Sequence, residues 1–398
     1  MRRALKWLLW AILLIAVALG ALALFKRDEA ARLLAVNTLF KEDRIVENFS
    51  NMDRLFWTVP VKAGGEARPL PEAPRPLPET FTHGGGEERI ADWIERTATT
   101  SLLVLKDGAI AHEQYRLGTG AEDLRISWSM AKSFLSALIG IARGEGLIED
   151  LDAPVSQYVP ELADSAYAKA TVRNVLKMAS GVAFDEDYAD FWSDINKMGR
   201  VLALGGSMDE FAIGQDRTAG PPGEAFRYVS IDTHVLAMVL RAATGRSAPD
   251  YLSEKLWGPM GAEADAKFIT DGEGAAFALG GLNARTRDYA RFGLLVAQGG
   301  AREGRQLIPA DWLAMSTVQS APPPADPRPY GYGFQWWIPP GGKGDFLARG
   351  VYGQYIYISP ASGVVIVKTS ADRTFLDPVR RANLDNLAAF RAIAASLR

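Results

Sequence analysis

The chain has 398 residues, 48% of them hydrophobic and 23% charged, with 44 Lys and Arg against 47 Asp and Glu. This globular balance excludes disordered and low-complexity scaffolds, and the slight acidity argues against a nucleic-acid partner, which would call for a basic face. There are no cysteines, hence no disulfides or thiolate nucleophiles, and the three scattered histidines (His83, His112, His234) form no metal-binding motif, so neither a metal nor a cofactor is expected.

The first element is an unbroken uncharged run, Trp7–Phe25, preceded by Arg2, Arg3 and Lys6. At ~1.5 Å per residue its length matches a hydrocarbon core of ~30 Å. The positive flank then predicts a cytoplasmic N-terminus. The expectation is an N-terminal transmembrane helix over residues 1–25, the membrane as a partner, and a remainder exported to the periplasmic or extracellular side. Ala21-Leu22-Ala23 leaves open a cleaved signal peptide and a secreted protein. Residues 26–90 read as a connector: an amphipathic approach with Leu33, Leu34, Leu39 and Phe40, then the stiff Pro-rich stretch Arg68–Pro78.

Two apolar runs, Ser101–Lys106 and Ala109–Tyr115, flank Asp107-Gly108 and predict a hairpin. The middle of the chain is mostly helical in pattern, with Phe134–Arg143 before Gly144, Thr171–Met178, Thr233–Thr244 before Gly245, and Arg287–Gln298. After a second proline patch, Pro322–Pro329, strand signals return at Tyr332–Trp337, Gln354–Ser359 and Val364–Ser370, followed by a helix from Leu384 to Leu397. Strands at both ends of a helical middle predict one α+β unit over 91–398. Its sheet part comprises 91–127 and 330–398, and its helical part 128–329.

The chain has no G-x-S-x-G elbow, no Walker loop and no G-x-G-x-x-G fingerprint. The informative stretch is Ser129-Met130-Ala131-Lys132, at the start of a predicted helix. Three residues apart, the hydroxyl and the amine share one helix face, and a partly desolvated lysine loses its proton more easily and can activate a serine. Taken alone the motif is weak, since a chain of this size carries about one S-x-x-K by chance. Ser129 is equally compatible with a helix cap and Lys132 with a solvated side chain. A second element is Tyr228-Val229-Ser230, on a turn running into a helix. Tyr228 would relay a proton, its pKa lowered by the lysine. Tyr357-Ile358-Ser359 has the same pattern, and only the turn-then-helix setting selects Tyr228. His234 reads as packing.

In order along the chain, Ser129-Met-Ala-Lys132, Tyr228-Val-Ser230 and Gly280–Leu295 resemble the serine β-lactamase and penicillin-binding-protein superfamily, on its class C and carboxylesterase side. Met178–Tyr188 and Gly350-Val-Tyr-Gly-Gln354 bring it closest to the 6-aminohexanoate-dimer hydrolases. The likeness covers about residues 90–398. It implies a β-lactamase/transpeptidase-like fold: an antiparallel sheet from the N- and C-terminal strands, flanked by helices, plus a mostly helical subdomain. It also implies a serine hydrolase that cleaves a small-molecule amide or ester through an acyl-enzyme. In that reading Ser129 is the nucleophile, Lys132 its base partner and Tyr228 the relay, with the backbone N–H groups of Ser129 and Val351 as oxyanion hole. Tyr188, Ser230, Arg349 and Gly350 would contact substrate. The superfamily's Lys-Thr-Gly is absent; the corresponding strand reads Asp345-Phe-Leu-Ala-Arg-Gly350, with Arg349 or Lys343 as the available positive charge. Glu186 lies near the position of another branch's glutamate base, and Asp190 and Asp194 would attract an ammonium group. A D-amino-acid peptidase, a weak β-lactamase and a non-catalytic binding protein are the alternatives.

Overall fold

The computed structural model describes residues 2–25, 27–377 and 384–398. Its framework is a seven-stranded antiparallel sheet. The strands are β1 (Thr99–Lys106), β2 (Ala109–Tyr115), β3 (Gly331–Tyr332), β4 (Trp337–Ile338), β5 (Phe346–Gly350), β6 (Gln354–Ser359) and β7 (Val364–Ser370), in the spatial order β3-β4-β5-β6-β7-β1-β2. The chain's two ends therefore meet at the β7–β1 pair, where Val367 faces Leu103 and Ile366 faces Val104. The hairpin turns on Asp107 and Gly108, both at positive φ, as a tight right-twisted connection demands.

These central strands are apolar at nearly every position because both faces are covered. Leu103, Leu105, Ile356, Ile358, Val365 and Val367 face one hydrophobic core, which includes Phe134 and Leu295. Their neighbours Leu102, Val104, Tyr355, Val364 and Ile366 face another, with Trp93, Phe390 and Ile393. The four main helices of the catalytic unit are α2 (Ala131–Gly144), α3 (Ser230–Thr244), α4 (Thr286–Ala297) and α5 (Leu384–Ser396), following α1 (Arg2–Phe25) at the N-terminus. The α4 helix packs on β6 and β7. Gly293 allows the approach: a Cβ there would come within 2.6 Å of Val365 and 2.9 Å of Ile356.

The run Tyr332–Trp337 is not one strand. It folds as the two short strands β3 and β4 around a turn, with the Gly333 amide donating to Trp336 O and Gln335 at φ 62°. The Gln335 side chain is committed inward, donating to Leu176 O at 3.0 Å and accepting from the Thr233 hydroxyl at 2.8 Å. The Pro-rich stretch lies along the outer edge of β2, where prolines cost no ladder bonds. There Ile110 N donates to Pro71 O, and the amides of Ala73 and Arg75 return bonds to Ile110 O and Ala111 O.

The N-terminus requires a correction. Although α1 is helical, no helix among the described residues is long and apolar enough to cross a membrane. The expectations of a transmembrane helix, of the membrane as a partner and of a membrane-anchored, exported catalytic part are overturned by that finding.

Candidate active site

Ser129 does not sit in a helix but in the 3-10 turn Trp128–Met130 that leads into α2. The turn starts from a strained residue, Trp128 at φ 43°, a conformation that costs a bulky L-residue on the order of 1–3 kcal/mol. Packing holds it there. The indole lies against Phe40 and Phe49, and Trp128 O accepts the Ser127 hydroxyl at 2.9 Å.

One turn on, Lys132 is 1% exposed, and its Nζ donates to Leu279 O at 3.1 Å. Burial disfavours the ammonium and lowers the pKa to about 7, against the opposing pull of Glu186 and Asp232. Nζ also lies 5.5 Å from the centre of the Tyr228 ring. Tyr228 lies two residues before α3 and stacks on Trp337 at 5.3 Å, and the nearby Ser129 side chain acts on its hydroxyl.

The sign of the tyrosine's shift is opposite to the sequence expectation. Burial, followed by the Glu186 charge, pushes its hydroxyl above the ordinary range, and Ser129, Arg349 and Arg328 only partly offset this. Tyr228 is therefore a neutral phenol near pH 7, able to pass a proton along a hydrogen bond but not to begin as a phenolate. Of the two, Lys132 is the group whose unprotonated form is populated.

Gly350 ends β5 against the Trp128–Met130 turn. A Cβ there would lie 2.5 Å from Ser127 O and 3.1 Å from Ser129 N, so a side chain at 350 is excluded and the next residue, Val351, enters the cleft beside Ser129. The cleft holds about 730 Å³, within the usual range for small-molecule sites. Tyr188 and Arg349 line it. Ser230 instead supports Glu186: its amide donates to Glu186 Oε1 in a very short bond, while the Tyr188 hydroxyl donates to Oε2 at 3.1 Å. Tyr188 packs edge-on against Phe375 at 5.7 Å.

Other candidates lie elsewhere. Asp194 is occupied with the Asp185 amide, Lys197 and Arg217, and Asp190 accepts the Trp192 amide. His234 pairs with Asp209 at 2.7 Å on another face of α3. Tyr357 donates to Asp345 at 2.9 Å in the second core, so the rival Tyr-x-Ser is far from Ser129's partners. Among the described residues, no group of three or more His, Asp or Glu side chains is arranged to hold a metal ion.

Sequence reasoning missed Asp232. It is fully buried in the first turn of α3, accepts the Tyr167 hydroxyl at 2.7 Å, and has its pKa pushed up to about 7 by burial. Its one signal was its place two residues after the Tyr228-Val-Ser230 pattern. Arg328, in the second proline patch, was missed as well and lines the cleft.

The family model described as Beta-lactamase matches residues 89–389. A 6-aminohexanoate-dimer hydrolase of Paenarthrobacter ureafaciens is 31% identical over 291 residues, which cover 70% of this chain and 74% of that protein. A Bacillus anthracis protein provisionally described as a 6-aminohexanoate-dimer hydrolase superposes with a TM-score of 0.80 at 25% identity, over 90% of this chain and 96% of its own. A D-stereospecific amidohydrolase of a Streptomyces species shares the fold at TM-score 0.55 and 18% identity, covering 69% and 90% of the two chains.

Proposed function

Because the chain belongs to the beta-lactamase family and is a serine hydrolase acting on amides or esters, we propose that Ser129 is its nucleophile, Lys132 its base and Tyr228 its proton relay. The observation that supports this reading most directly is a buried lysine of lowered pKa 5.5 Å from the centre of the Tyr228 ring, with the hydroxyls of Tyr228 and Ser129 in one cleft and acting on each other.

The steps follow from those positions. The unprotonated Lys132 amine takes the serine proton, directly or through the Tyr228 hydroxyl, as Oγ attacks the carbonyl carbon. The oxygen that becomes negative is met by the backbone N–H groups of Ser129 and Val351. Such donors typically contribute about 3 kcal/mol each to the transition state. Tyr228 returns the proton to the leaving amine or alcohol, and water then resolves the acyl-enzyme by the reverse route. Tyr188, Arg349 and the backbone at Gly350 would border the substrate, with Ser230 acting through Glu186. A short linear amide is the substrate this reading favours, because the curated relative is named for a dimer of that kind and no Lys-Thr-Gly is present.

A panel of a short linear amide, a p-nitrophenyl ester, a D-Ala-D-Ala peptide and nitrocefin tests the reading. Turnover of the amide or ester is expected, and Ser129→Ala should abolish both turnover and labelling by an acylating probe. Labelling that persists in Ser129→Ala would transfer the nucleophile to another residue.

A further inference from the structure

Building on the serine-hydrolase reading, we propose that Phe40 and Phe49 are positioning residues: together they clamp the two chain segments whose amides, at Ser129 and Val351, would receive the developing oxyanion. Both phenylalanines precede residue 89, where the family match begins, in a stretch whose sequence reads as a mere connector. The cleft is lined by Ser129, Val351 and Tyr352 but by neither phenylalanine, so any influence they have on the reaction passes through other residues.

Among the described residues, two aromatic side chains sit on backbone at positive φ: Trp128 at 43° and Tyr352 at 58°. Bulky residues enter that region only where their surroundings hold them there. Trp128 shares a peptide plane with the Ser129 N–H, and Tyr352 follows Val351 directly. One pair of rings meets both. Phe40 stacks on Tyr352 at 4.5 Å and 12°, and lies 5.7 Å from Trp128. Phe49 stands edge-on to Trp128 and to Tyr352, at 5.6 Å from each. The pair is tied to the chain that enters the Trp128–Met130 turn. Arg125, 1% exposed, donates to Val46 O at 2.8 Å and to Ser50 Oγ at 2.7 Å, within the short helix Ile45–Ser50 that carries Phe49. The far side of the clamp is held too, since Tyr352 O accepts the Gln354 side-chain amide at 3.0 Å and the Asp372 amide at 3.1 Å. Two strained residues, one beside each amide, therefore share one support, and loosening it frees both.

The test compares p-nitrophenyl hexanoate with its thiono ester, which differ only in the carbonyl atom that the two amides would meet. Sulfur is the weaker acceptor, so well-placed amides favour the oxygen ester, by ~10²-fold in kcat/KM. Comparing that ratio between variants cancels the esters' intrinsic reactivities. Phe40→Ala should lower kcat for the oxygen ester by ~10-fold with KM little changed, and shrink the oxygen preference to ~10-fold. Phe40→Tyr keeps a flat ring and should restore the preference, whereas Phe40→Leu, apolar without a flat face, should not. A side chain that only stabilises the fold would slow both esters alike; an oxygen preference unmoved by Phe40→Ala overturns the clamp. Hydrogen exchange in the Ser129→Ala protein gives a readout that needs no turnover. Adding Phe40→Ala should speed exchange in the segments 127–133 and 346–354 together, and unchanged exchange in either segment overturns the clamp. Faster exchange in both segments of a protein that hydrolyses neither ester would sink the hydrolase reading and leave the clamp standing.

Discussion

Among the described residues two lysines, Lys132 and Lys368, are buried, and their surroundings differ. Lys132 lies under the cleft and Lys368 in the centre of the sheet; burial lowers the first to about 7 and the second to about 8. Each has a serine close by in sequence. Lys368 Nζ donates to Ser370 Oγ at 2.5 Å and lies 5.4 Å from the Trp93 ring, a closer lysine–serine pairing than the cleft shows. What Lys368 lacks is everything around it. Ser370 is wholly buried, whereas Ser129 opens on a cleft and has the Gly350–Val351 backbone beside it. Desolvation makes a lysine able to lose its proton; access and a place for the oxyanion make that ability useful.

The sharpest way to break the comparison is to make the same change at both sites. Lys132→Met should lower kcat/KM by ~10³-fold or more, within the range that loss of an activating base produces, while the protein still melts cooperatively. A near-wild-type rate would demote Lys132 to a structural lysine. In the unaltered enzyme, kcat/KM should rise with pH through about 7, as the ammonium form of Lys132 gives way to the amine. A profile flat from pH 6 to 8 would count against this base.

Gly350→Ala should come next in size. The added Cβ must push on Ser127 O and the Ser129 amide. The expected cost is ~10²-fold in kcat and roughly 1–3 kcal/mol of stability from overpacking. Denaturant unfolding beside steady-state kinetics would separate the two, and an unchanged kcat would remove Val351 from the oxyanion hole.

The smallest effect concerns Lys368. A base whose pKa falls on folding binds fewer protons in the folded than in the unfolded chain between the two values. Stability therefore rises as pH climbs from about 8 towards the unfolded value of ~10.4, and the full penalty is present below pH 8. Lys368→Met should relieve a penalty of ~3 kcal/mol at pH 7 and give back ~1 kcal/mol for the orphaned Ser370 hydroxyl. The net gain, ~2 kcal/mol at pH 7, should shrink above pH 10, with catalysis retained. A loss of activity equal to that of Lys132→Met would erase the contrast between the two sites.

Much of this was legible in the chain itself. Gln354–Ser359 and Val364–Ser370 are strands at the limits their sequence suggests, because continuous β-branched and aromatic runs bounded by Gly and Pro leave few alternatives. Ser129, Lys132 and Tyr228 stood out because their order and local setting carried a family's pattern. The remainder depended on contacts between distant segments. Which Tyr-x-Ser meets the serine, the strain at Trp128, the burial of Asp232 and the placement of Arg328 are all set by residues more than a turn away. Tyr228 is the clearest case, since its neighbour in the motif argument was a cation and its dominant influence in the fold is burial. The N-terminal run is another: hydropathy suggested a span that the described helix does not supply.

By itself, then, the sequence determined the residue types of the chemistry. No cysteine and three scattered histidines excluded a thiolate nucleophile and a His-rich metal site. Tertiary structure alone decided which of the two buried lysines lies beside an open cleft, because pKa and access arise from packing between segments that the chain keeps far apart.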